Sequence, residues 1–194
     1  AVPYYAWQNR GLEEMTVWLI EDRDVALTAE GGEQAGPMAV PDPANLLTSG
    51  SVSASCAMVA PNSVHAMRDG NVPESSGDKS QVRLAWWPRK GGTEWAQCVF
   101  NQPETTDRIQ VYWFADHPHG GCGLPESWRL LYLDEHAWKE VPNPSSYEID
   151  SDRMIELKFN PVTTKGLRIE VQLRRGLSGG IHEWQVKPSQ NIDG

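Results

Sequence analysis

Cysteine is scarce in this chain: Cys56, Cys98 and Cys122 are the only three in 194 residues. They are too few and too widely spaced for a zinc site of the usual paired form, and they allow at most one disulfide with one thiol left over. Cys98 stands inside an alternating pattern, where a thiol is expected to be buried and unreactive. Basic residues are also in deficit, 17 Lys and Arg against 26 Asp and Glu, giving a formal net charge of −9. A nucleic-acid-binding face needs a concentrated basic stripe. The basic clusters here are pairs, Arg89-Lys90 and Arg174-Arg175, so nucleic acid is not an expected partner. No apolar run approaches the ~20 residues that span a bilayer as a helix, and no membrane partner is expected. The chain opens at Ala1 without a charged-then-apolar leader, so any targeting segment is expected to have been removed or to lie upstream.

Helical periodicity is missing as well; what is present is period two. In RIQVYWF, Ile109, Val111 and Trp113 alternate with Arg108, Gln110 and Tyr112. In RMIELKF, Ile155, Leu157 and Phe159 share a face, and in GLRIEVQL so do Leu167, Ile169, Val171 and Leu173. Such alternation marks strands buried on one face. Further strands are expected at 51–57, 83–87, 94–100, 127–133, 145–149 and 181–187. Many short strands separated by turn signals predict an all-β antiparallel sandwich or barrel.

Composition divides the chain. Residues 1–20 hold two short apolar runs around the turn-like Asn9-Arg10-Gly11, too little to bury a core alone, and read as terminal strands of an upstream domain. Residues 21–45, rich in Gly, Pro, Ala and acid, read as a linker. Residues 46–189 form the sandwich, with a tail at 190–194, and residues 45–194 are expected to fold alone.

Catalytic motifs fail on context. Gly176-Leu177-Ser178-Gly179-Gly180 fits G-x-S-x-G, but a nucleophile elbow needs a strand-turn-helix above a parallel sheet. Here IHEWQV follows as another strand, so the motif reads as a hairpin turn. His117 and His119 offer imidazoles to a metal without an evident third ligand. No pair among the 26 acids is singled out for glycoside hydrolysis, which needs a fixed separation across a cleft.

The runs AWWPRKGGTEWAQCVF, DRIQVYWFADHPHGGCGLPESWRLLYLDEHAWKEV, GLRIEVQL and GGIHEWQV resemble the galactose-binding-like, discoidin-type jelly roll. Within that group they are similar to the module near the C-terminus of bacterial glycoside hydrolase family 127, the β-L-arabinofuranosidases. The opening AVPYYAWQNRGLEEMTVWL resembles the last strands of that family's catalytic region. The resemblance implies a two-sheet antiparallel sandwich of about eight strands, a structural calcium, an extracellular or periplasmic site of action, and sugar binding by loops at one end. The motifs around that family's catalytic glutamate and zinc-binding cysteines are not in this sequence, so a non-catalytic piece of an enzyme is implied. Phospholipid-binding relatives present apolar spikes; this chain has no comparable run, and its negative charge opposes anionic lipid.

The resemblance also implies the sites. HAMRDGNVPESSGD resembles the family's calcium loop, with Asp69 and Glu183 as side-chain ligands and Met67, Asn71 and Ser76 contributing backbone or side-chain oxygen. The alternative is a solvated turn at Asp69-Gly70. For carbohydrate, three loops carry suitable residues: Trp87, Arg89 and Lys90; His117 and His119; and Arg174. Trp86 and Trp87 are adjacent and point to opposite faces if extended, so one belongs to the core and the other offers a ring for stacking. The alternative is that both cap the sandwich, with Arg89 stacked on one of them. Trp95 is expected to pack. Three functions compete: a carbohydrate-binding module of a glycosidase, a structural domain packed on its own catalytic domain, and a protein-interaction module.

Overall fold

The computed structural model describes residues 42, 44–57 and 64–189, all within the unit Met38–Gly194. The expected strands of 1–20, most of the linker and the tail at 190–194 lie outside the described residues.

Among the described residues seven strands follow one another: β1 (Gly50–Ala54), β2 (Leu84–Ala85), β3 (Thr93–Phe114), β4 (Ser127–Asp134), β5 (Ala137–Glu140), β6 (Ile155–Gln172) and β7 (Gly180–Pro188). Two short 3-10 turns, Leu46–Ser49 and Val64–Arg68, complete the described elements. Pairing between these strands is antiparallel, in the order β2-β7-β3-β6-β4-β5, with β1 added beside β3. Among the described residues no helix is long and apolar enough to cross a membrane.

Two pairs of expected strands prove to be single long ones. The runs at 94–100 and 108–114 join into the 22-residue β3, and RMIELKF and GLRIEVQL join into the 18-residue β6. The joins carry the irregularities: the β3–β6 ladder shifts register between Val99 and Glu104 and again between Thr106 and Arg108. Pro103, which has no N–H to give a ladder, sits inside the first shift. The first half of β3 pairs with β1 and the end of β6, and its second half pairs with β7 and the start of β6. Bulges bend and twist a strand, so one ribbon contributes to both layers of a jelly-roll sandwich. Trp113 of β3 meets Trp128 of β4 edge to face across the interior, ring centres 5.5 Å apart.

The alternation is the one the sequence shows. Along β6, Ile155, Leu157, Phe159, Val162, Leu167, Ile169 and Val171 are buried. Trp86, Trp113 and Trp184 are buried beside them in one core. About eight strands were expected in the sandwich, and the described residues form seven. The stretch 145–149 is not a strand; Tyr147 instead uses its hydroxyl to accept from Leu130 N–H at 3.2 Å, while β5 is additional. The three cysteines are unpaired. Burial pushes the Cys98 thiol up to about 12, in keeping with an inert core residue.

Candidate functional site

Four segments end or begin at one end of the sandwich: the exit of β2, the exit of β3, the exit of β6 and the entry to β7. Their loops, 87–92, 117–123 and 174–180, are stitched together by backbone hydrogen bonds. Gly91 N–H donates to Leu177 O (3.1 Å), Gly123 N–H to Ser178 O (2.9 Å) and Ser178 N–H to Gly121 O (2.8 Å). The G-x-S-x-G segment is thus a turn between two strands, and Ser178 is fully buried. The peptides Trp87-Pro88 and His117-Pro118 are cis.

Beside these loops lies a cleft of about 600 Å³. One wall is loop 117–123 with its neighbours, presenting His117, His119, Leu124, Arg174 and Leu177. The other is residues 75–79 with Ser151 and Asp152. This second wall is built by reciprocal bonds: Ser76 N–H donates to Asp152 Oδ1 (2.6 Å) and Asp152 N–H to Ser76 Oγ (2.8 Å). Between the walls sits Asp116, paired with Lys79 at 2.9 Å and accepting from Cys122 N–H at 2.8 Å. Burial alone would raise the Asp116 carboxyl, but the Cys122 N–H and the Lys79 ammonium outweigh it and hold the group below its ordinary value.

Of the six residues singled out for carbohydrate, His117, His119 and Arg174 line this cleft, and Trp87, Arg89 and Lys90 do not. Trp86 enters the core, 1% exposed, with its indole N–H donating to Trp95 O at 3.2 Å. Trp87 turns outward, but its ring is already engaged. Lys90 Nζ lies over it, 4.6 Å from the ring centre, and its edge abuts Gly121. Lysine, not Arg89, takes the stacking position. A Cβ built on Gly121 would sit 2.4 Å from Trp87 Cζ3, which explains the glycine. Gly121→Val is therefore expected to destabilise the fold by about 1–3 kcal/mol, the usual cost of overpacking. In a Trp87→Ala background the same change should cost less, and urea titration of the four-protein cycle checks the coupling.

Trp95 is half-buried on the outer sheet face, where Arg168 lies between it (4.7 Å) and Trp138 (4.2 Å). Packing by cation–π contact fits the structural role expected of it.

The second candidate lies along β7. Asp69 accepts from Asn71 N–H (2.8 Å) and Asn71 Nδ2 (3.2 Å). Glu183, with no exposed surface, accepts from Gly70 N–H at 3.1 Å. Burial raises both carboxyls, Glu183 to about 8, where the nearby Asp69 charge adds to the effect of burial. The adjacent Arg68 does not neutralise them: it donates to the carbonyls of Leu47 and Gly50. Met67 is fully buried in the same turn. Ser76 is elsewhere. Its carbonyl accepts from Ala115 N–H (2.9 Å) and faces His182 Nε2 (3.2 Å), while its hydroxyl and amide are committed to Asp152. Among the described residues no three His, Cys, Asp or Glu side chains converge on one point. A hard cation here would need backbone oxygens beside the two carboxylates, which calcium accepts readily.

Asp152, Asp116 and Lys79 escaped the sequence reading. Asp116 left a trace, since an acid directly before a Pro- and Gly-rich loop is suited to capping it; nothing in the sequence joins Asp152 to Ser76.

Residues 1–20 match the family model of the glycoside hydrolase family 127 C-terminal domain. No curated protein sequence matches the chain. Among solved structures, a chain from the Streptococcus pneumoniae β-galactosidase aligns with a TM-score of 0.62 at 18% identity, over 78% of this chain and 98% of that one. A Clostridium perfringens carbohydrate-binding module solved with GalNAc-β-1,3-galactose gives 0.55 at 12% identity, over 73% and 97%. A Bacteroides thetaiotaomicron structure described as an α-L-fucosidase gives 0.57 at 17% identity over 76% of this chain, which spans 29% of that one. The fold is shared with these structures, a carbohydrate-binding module among them.

Proposed function

We propose that this chain is a non-catalytic accessory module of a longer glycoside hydrolase, working outside the cytoplasm, that holds a glycan in the cleft at the loop end. The observation that carries the proposal is the cleft's lining. His117, His119, Asp152 and Arg174 supply donors and acceptors for hydroxyls, and Arg174 offers a fork that spans two adjacent ones. Leu124 and Leu177 give the C–H face of a sugar ring an apolar contact. Structural relatives from glycosidases, one solved with a disaccharide, support the same reading. So does the family match at residues 1–20, which also supports a catalytic domain of the same protein as its neighbour.

Asp69 and Glu183 would hold a calcium ion, completed by oxygens of the turn around Met67 and Asn71. The ion would supply charge compensation for two buried carboxylates and tie the 64–71 turn to β7.

Affinity in the millimolar-to-micromolar range, roughly −4 to −8 kcal/mol, is expected of so open a site. Calorimetry of the full chain against arabinose-, galactose- and rhamnose-containing oligosaccharides tests it. Arg174→Ala should weaken binding by about 1.5–3 kcal/mol, the worth of a charged hydrogen bond, and His119→Ala by less. Absence of heat with every sugar would sink the proposal in favour of a structural domain.

A further inference from the structure

We propose that the loop end selects glycans bearing negative charge, uronate carboxylates or sulfate esters, a refinement that rests on the glycan-binding reading above. The three converging loops hold Arg89, Lys90, Arg174, Arg175, His117 and His119, and none of the chain's 26 acidic residues. The cations are brought side by side: a Cβ on Gly91 would lie 3.4 Å from Arg175 Cα, so the 89–90 and 174–175 pairs form one patch. Arg89, Lys90, Arg174 and Arg175 are all exposed. Lys90 leans on the Trp87 ring. The guanidinium groups of Arg89, Arg174 and Arg175 have no protein acceptor among the described residues, whereas exposed Arg129 and Arg153 elsewhere are paired with carboxylates.

The acids bordering the loops do not cancel this patch. Asp116 is engaged by Lys79, and Glu94 is buried against Ser55, whose hydroxyl donates to it at 2.5 Å. Asp78 and Asp152 belong to the opposite wall of the cleft. The site is therefore polarised, with carboxylates on one side to accept from sugar hydroxyls and unpaired guanidiniums on the other. Planar guanidinium forks match carboxylate and sulfate oxygens in pairs. A chain of net charge −9 repels polyanions everywhere else, so the patch confers orientation as well as selectivity.

Affinity electrophoresis and calorimetry of the full chain decide the matter, using polygalacturonate, a sulfated galactan, neutral galactan and phosphatidylserine vesicles as probes. The charged polymers should bind about tenfold or more tightly than the neutral one, and the two arms tell carboxylate from sulfate. Raising salt from about 50 to 300 mM should weaken that preference by shortening the Debye length. Arg89→Gln/Arg174→Gln/Arg175→Gln, with an unchanged melting temperature, should lose roughly tenfold toward the polyanion. Equal binding of neutral and charged galactans, with no salt dependence, overturns the inference and leaves the glycan-binding function standing. Binding of no glycan at all defeats both, and vesicle binding as tight as polygalacturonate overturns the glycan assignment.

Discussion

Adding a chelator at pH 8 is expected to lower the melting temperature by about 5–10 °C, and at pH 5.5 by far less. The first figure follows from mass action. A ligand at a hundred times its Kd stabilises by about 2.7 kcal/mol, and each kcal/mol moves a domain of this size by roughly 2–4 °C. The pH dependence follows from Glu183. Its folded-state carboxyl is raised to about 8 by burial and by Asp69, far above its ordinary value. Between those values the folded, metal-free protein keeps a proton that the unfolded chain releases, so its stability falls as pH rises through this window. For a fully buried group the loss is on the order of 4 kcal/mol across the window. Asp69, also raised by burial, adds in the same direction. A calcium ion held as proposed would reverse the penalty by pairing with the ionised forms. Glu183→Gln separates the two effects. It should abolish the calcium response, yet in chelator at pH 8 it should be more stable than the unsubstituted protein, because the more deeply buried of the two carboxylates is gone. Melting curves in chelator and in calcium at both pH values check this. An unchanged midpoint on chelation at pH 8, together with a Gln variant that follows the same pH slope, would show that the two carboxylates hold no ion.

How far the sequence announced this arrangement depends on the range of the interaction. Period-two burial is a local property, and Ile155, Leu157, Ile169 and Val171 fall where alternation puts them. The convergence of loops 87–92, 117–123 and 174–180 was legible too, because turn residues at strand ends collect at the ends of a sandwich. What was not legible is pairing between distant, chemically ordinary residues. Ser76 resembles part of a metal loop, but Asp152, 76 positions on, claims its backbone and hydroxyl. Trp87 has the look of an open platform until Lys90 covers one face and Gly121 closes on its edge. β3 and β6 each read as two strands because the polar runs NQPETTD and NPVTTK interrupt the pattern at the bulges, where the ladder itself shifts.

The composition around Asn45 conceals the largest difference, and replacing that residue is expected to cost about 3 kcal/mol. Asn45 closes a stretch read as linker, yet it is fully buried. Its side-chain amide does for β7 what a neighbouring strand would do. Nδ2 donates to Trp184 O at 3.0 Å, and Oδ1 accepts from Val186 N–H at 2.9 Å. A C=O and the N–H two residues on point to the same side of a strand, so one carboxamide with donor and acceptor imitates a peptide group there. The same Oδ1 accepts from Leu47 N–H at 3.2 Å and caps the 3-10 turn. Asn45→Ala leaves a buried donor and acceptor of β7 without partners, at about 1–3 kcal/mol each. Asn45→Asp keeps the shape but sets a carboxylate oxygen against Trp184 O, so at pH 7 it should be at least as damaging and should recover partly as the carboxyl is protonated. A truncation beginning at residue 46 should resemble Asn45→Ala, whereas one beginning at residue 42 retains the clamp and the Lys187–Asp42 pair (2.8 Å). Urea denaturation measures the cost, and faster amide exchange at Val186 locates it. A variant within about 0.5 kcal/mol of the parent, as for an ordinary surface position, would mean that β7 does not depend on the clamp.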